Sequence, residues 1–70
     1  MSDRAEIEKS LRERLAHVRQ EHLDLGQAIA ALMALSSGDQ LRLTRLKKKK
    51  LLLKDEIRAL ETQLFPDIIA

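Results

Sequence analysis

Three groups of residues in this chain carry side chains capable of chemistry. They are the histidines His17 and His22, the carboxylate of Asp24, and the cations Arg42, Arg45, Lys47, Lys48, Lys49, Lys50 and Lys54. Metal ligands on a helix share a face when they are three or four residues apart. His17 and His22 are five apart, which turns them about 140° from one another. They therefore make a poor joint metal site. The chain has no glycine-rich phosphate loop, no HExxH and no recognisable nucleophile motif. It has no cysteine, which removes disulfides and thiolate zinc sites. No catalytic, metal or cofactor-binding residues are expected, and the chain reads as a non-enzyme.

The lysine run is the boldest feature. From Arg42 to Lys54 there are seven basic residues and no acid. Residues 1–40 hold five basic and seven acidic side chains, and residues 41–70 hold eight and four. One reading is a helical surface for phosphates, built from Arg42, Arg45, Lys48, Lys49 and Lys54, that binds nucleic acid without sequence preference. Against it, consecutive helical residues spread about 100° apart, and no aromatic side chain in the run offers base stacking. The other reading is a solvated charged surface whose lysine stems cover apolar neighbours. Leu51-Leu52-Leu53 directly after the lysines leaves a membrane surface as a third partner.

These residues must be positioned by helices. Asp3 with Glu6, and Ser37 with Gln40, have the spacing of capping boxes, with Asp39 as an alternative cap. Pro66 disfavours helical geometry at Phe65. Good helix formers fill most of the rest. The predicted order is one helix over about 3–35, a turn at 36–37, a second helix over about 38–65 and a tail at 66–70. Gly26 interrupts the first helix at a cost of about 1 kcal/mol relative to alanine. It either admits close approach of another helix or is tolerated there.

Apolar residues recur at alternating spacings of three and four. In the first helix the seam is Leu11, Leu15, Val18, His22, Leu25, Ile29 and Leu32. In the second it is Leu43, Leu46, Lys50, Leu53, Ile57, Leu60 and Leu64. Such heptad seams predict two helices packed along one stripe each. If the chain folds back near 36–39, facing residues should have numbers adding to about 75. The two seams then meet member for member, from Leu11/Leu64 to Leu32/Leu43. The predicted fold is all-α, an antiparallel two-helix hairpin of coiled-coil-like packing, about 45–50 Å long. Each seam contains one polar member, His22 or Lys50. Asp24 is level with Leu51 in this register, between Lys50 and Lys54. His22, Asp24, Lys50 and Lys54 are accordingly the candidate interhelical lock.

The chain has 70 residues, and a single core of that size rarely supplies more than about 3–5 kcal/mol. Two helices hide one stripe each, yet Leu23, Met33, Leu41, Leu51 and Leu52 lie off the seams. This surplus predicts a second interface and a homo-oligomer, dimer or tetramer, assembled as a helical bundle. The longest apolar run, Ala28 to Leu35, is far short of the roughly 20 residues that span a bilayer. The acidic N-terminus has no apolar signal region, so a cytoplasmic protein is expected. The function expected is a structural or protein-interaction module that self-associates. Non-specific nucleic-acid binding by residues 42–54 is the alternative.

One set of residues resembles a known family. His22 with Leu25, and then Leu46-Lys47-Lys48-Lys49-Lys50-Leu51 and Leu53-Lys54-Asp55-Glu56-Ile57, are similar to the YdcH-like family of short bacterial proteins of unknown function. The second segment matches from Leu46 to Ile57. In the first, Gly26 stands where the family pattern has aspartate. The resemblance covers about residues 20–60. It implies a small, often self-associating helical hairpin with no catalytic residues. His22, Leu25, Lys47, Lys50, Lys54 and Asp55 are its motif positions, without an assigned role.

Overall fold

Leu, Ala, Glu, Gln, Lys and Arg dominate both halves of the chain, and their low rotamer cost in helices is realised as two long elements. The computed structural model describes residues 3–35 and 39–66. Helix α1 spans Asp3–Ala34 and helix α2 spans Gln40–Leu64. There is no strand among the described residues.

The ends differ from the sequence expectation by one or two residues, each for a visible reason. α2 starts at Gln40 because Asp39 is its cap, with Oδ1 accepting a hydrogen bond from the Arg42 backbone N–H at 3.1 Å. The expected cap at Ser37, and the predicted turn at 36–37, lie outside the described residues, and the cap described is the alternative, Asp39. α2 stops at Leu64. Phe65, held out of helical geometry ahead of Pro66, has φ −132° and still donates its N–H to the Glu61 carbonyl at 2.7 Å. α1 closes with the Leu35 N–H on the Leu32 carbonyl at 3.2 Å, the tightened bond common in a last turn. Asp3 is the first described residue of α1, and Asp3 and Glu6 place negative charge in the first turn, where the helix dipole favours it. Of the expected tail, 67–70 fall outside the described residues.

The helices pack antiparallel, and the molecule measures 56 × 24 × 15 Å. The 32 residues of α1 account for about 48 Å of the long dimension at 1.5 Å per residue. Every member of both predicted seams is buried or half-buried. The main cluster joins Leu15 and Val18 of α1 to Leu53 and Leu60 of α2, with Leu11, Leu25, Ile57 and Leu64 packed against it. Val18 is fully enclosed. Ile29 and Leu43 are also buried but stand outside that cluster, beyond the layer where Leu25 meets Lys50. The polar seam members therefore divide the core into a larger part near the chain ends and a smaller part near the turn.

The core is thin in absolute terms. Among the described residues six large apolar side chains are buried, while eight are exposed: Ile7, Leu23, Met33, Leu35, Leu41, Leu51, Leu52 and Phe65. At roughly 1.5–3 kcal/mol for each fully buried large apolar side chain, the eight exposed ones leave a sizeable stabilisation unrealised in the single hairpin.

Candidate functional site

Residues beside a seam project to one side of the hairpin or the other, so the molecule has two broad faces. An interhelical ion pair marks each. On one face Arg19 Nη2 lies 2.7 Å from Glu61 Oε2. On the other, Arg14 donates from Nε at 2.8 Å and from Nη2 at 2.7 Å to Glu56 Oε2. All four side chains are substantially exposed, so each pair contributes about 0–1 kcal/mol. Their value is in alignment, because a shifted register would set these charges against apolar side chains. Sequence reasoning missed both pairs. The signal was available, since in each pair the numbers depart by five from the seam register, one below it and one above.

The Arg19–Glu61 face carries an open groove of about 410 Å³ lined by His22, Ile29, Lys47, Lys50, Leu51 and Lys54. Lys50 starts in the seam and is half-buried. The far end of its side chain lies beside Gly26, where a Cβ would sit 3.7 Å from Nζ and 3.8 Å from Cε. The stem thus covers apolar surface while the ammonium reaches the groove. By helical register, Leu23, Gly26, Ala30 and Met33 of α1 lie on this same side. In and beside the seam here, the cations Arg12, Arg19, Lys47, Lys50, Lys54 and Arg58 outnumber two carboxylates, Glu61 and the Glu8 that pairs with Arg12. We term this the basic face.

The Arg14–Glu56 face carries a shallower depression of about 310 Å³ lined by Glu21, Asp24, Leu25, Ala28, Lys49 and Leu53. Register adds Ala31 and Leu35 of α1, and Arg42, Arg45, Leu52 and Ala59 of α2. Charges of both signs are interspersed here: Arg14, Glu21 and Asp24 on α1, and Arg42, Arg45, Lys49 and Glu56 on α2. We term this the mixed face.

The expected interhelical lock is split between them. His22, Lys50 and Lys54 come together in the groove, but Asp24 is on the opposite side and forms no ion pair with either lysine. Its Oδ1 accepts from Gln20 Nε2 at 2.9 Å within α1. Being level with Leu51 fixed its height along the hairpin but not its direction around the helix. The expected anion-binding set divides too. Lys54 is on the basic face, Arg42, Arg45 and Lys49 are on the mixed face, and Lys48 points away from the seam. Of the surplus apolar residues, Leu23, Met33 and Leu51 belong to the basic face and Leu52 to the mixed face. Leu41 lies on the outer side of α2. His17 and His22 do not converge. His17 Nε2 is 3.4 Å from Glu21 Oε1, and the described residues contain no group of three or more potential metal ligands. None of the described helices is long and apolar enough to cross a membrane.

Comparison with known proteins places this two-faced hairpin in a class. Residues 15–61 match the family model described as protein of unknown function DUF465, the family that includes the YdcH-like proteins. The match covers most of the chain, and the protein belongs to that family. Neither the curated proteins nor the solved structures contain a match.

Proposed function

We propose that the protein is a small self-associating interaction module whose mixed face docks on a second copy to form a helical bundle. The observation that carries this is the apolar count among the described residues, six large side chains buried against eight exposed. Chains of this size commonly complete an inadequate core by oligomerisation. Charge selects the face. Two basic faces brought together would oppose rows of like charge. In a two-fold arrangement of mixed faces, Glu21 and Asp24 of one copy approach Arg42, Arg45 and Lys49 of the other. Ala28, Ala31 and Ala59 are small enough for the backbones to come close, and Leu35 and Leu52 lose their exposure. An isologous contact of this kind closes on itself.

This reading makes the chain a cytoplasmic binding component and not a catalyst. The alternative of a nucleic-acid surface built from Arg42, Arg45, Lys48, Lys49 and Lys54 is less favoured, because those side chains point in three directions. Thermal unfolding by circular dichroism over a hundredfold range of protein concentration tests the proposal. A midpoint that rises with concentration is expected, since association stabilises by mass action. A midpoint independent of concentration, with a monomeric mass by light scattering, refutes it.

A further inference from the structure

The groove on the basic face is unusual in its charge environment. Lys47, Lys50 and Lys54 follow one another at helical spacings of three and four, so all three point to one side. No acid occupies a position three or four residues from any of them: the neighbours are Leu43, Thr44, Leu46, Leu51, Leu53, Ile57, Arg58 and the lysines themselves. Across the seam they meet His22, Gly26 and Ile29. Like charges at this spacing destabilise a helix. Four of the other cations have an acidic partner: Arg4 and Arg12 with Glu8, Arg14 with Glu56 and Arg19 with Glu61. Lys49, one residue away in sequence, shares its depression with Glu21 and Asp24. The three groove lysines have no ion-pair partner among the described residues, and Lys50 is half-buried in that condition.

We propose that this groove is a binding site for a di- or triphosphate group, with Lys47, Lys50 and Lys54 as its cationic ligands and Gly26 leaving the opening into which the Lys50 ammonium projects. Three flexible ammonium groups act as point charges and converge well on a compact polyanion. A single carboxylate would leave most of that charge uncompensated. His22 supplies a further ring N–H donor at the edge. Ile29 and Leu51 form an apolar wall suited to an organic substituent on the phosphate, and about 410 Å³ accommodates one of nucleotide size. This inference goes beyond self-association and does not depend on it, because it uses the opposite face.

The test is a titration of the full-length, ¹⁵N-labelled chain with inorganic pyrophosphate at fixed ionic strength, followed by amide shifts. Saturable shifts centred on Gly26, Lys47, Lys50, Leu51 and Lys54 are expected. The double variant Lys47→Gln/Lys54→Gln should weaken binding at least tenfold, while Lys48→Gln/Lys49→Gln changes it less than twofold. Gly26→Asp places a carboxylate within pairing reach of Lys50 and should abolish saturation while the circular dichroism spectrum stays helical. Linear shifts without saturation, or equal loss in the two double variants, overturn the proposal in favour of diffuse charge. Binding only to a DNA duplex or to anionic phosphatidylglycerol vesicles, with none to pyrophosphate, overturns it in favour of an extended polyanionic surface.

Discussion

Replacing Gly26 by alanine separates two reasons a glycine could occupy a helix interior. Gly26 lies in the middle of α1, half-buried, on the basic face. A Cβ there meets Lys50 Nζ at 3.7 Å and Cε at 3.8 Å, ordinary van der Waals contacts to the end of a flexible side chain. Nothing is displaced, and no special backbone conformation is lost. The helix then gains about 0.8–1 kcal/mol from the propensity difference alone. The new methyl group adds a few tenths more by covering part of the Lys50 stem, at roughly 25 cal/mol per Å² of apolar area. For a domain this small, about 1 kcal/mol corresponds to a rise of about 4–8 °C in the midpoint. Thermal unfolding at one fixed protein concentration measures it. Under the proposed docking through the mixed face, the variant should keep the wild-type assembly. A lowered midpoint, or loss of assembly, would mean that another helix needs the space over Gly26, and the assignment of faces would be wrong.

The remaining predictions concern the core, the cap and the ion pairs. Val18→Ala removes buried volume from the one side chain that is fully enclosed among the described residues. It should cost about 2 kcal/mol, a large share of what so small a core supplies, and guanidinium unfolding will show a proportionate drop in midpoint with unchanged slope. Asp39→Ala removes the oxygen that accepts from Arg42 N–H, and about 1 kcal/mol with it; helicity by circular dichroism should be lost first in α2. A double-mutant cycle on Arg14 and Glu56 should give a coupling below about 1 kcal/mol that shrinks as salt rises. A larger, salt-insensitive coupling would contradict the exposure of that pair.

Much of the fold was legible in the sequence because helical periodicity is a direct record of burial. Two seams of seven positions each had to be in phase for a hairpin to close, and the cluster joining Leu15 and Val18 to Leu53 and Leu60 has the expected register. The site was legible only in part. Height along a hairpin follows from residue number, but the side to which a residue points follows from its angle about the axis. Asp24 was expected beside Lys50 on height alone and is turned away from it. Lys50 itself could have left the seam toward either face. Its position beside Gly26 is a matter of side-chain rotamer, which no spacing rule conveys. The Arg14–Glu56 and Arg19–Glu61 pairs needed only the register extended to the flanking positions. Lys47 belongs with Lys50 and Lys54 for the same reason, although the acid-free run had drawn attention to its neighbours Lys48 and Lys49.

The central claim is that the hairpin associates through its mixed face, and sedimentation equilibrium on three proteins tests it most directly. Leu52 and Leu51 are adjacent in sequence and similarly exposed, at 65% and 60%, but they lie on opposite faces. Burying such a leucine contributes roughly 1–2 kcal/mol per copy, so a charge at that position, counted in both copies, weakens a dimer about 30- to 1,000-fold. The account predicts an oligomeric wild type, a monomeric Leu52→Glu variant and a Leu51→Glu variant that assembles as the wild type does. A wild type that stays monomeric at high concentration, or a Leu51→Glu variant that dissociates while Leu52→Glu does not, contradicts it.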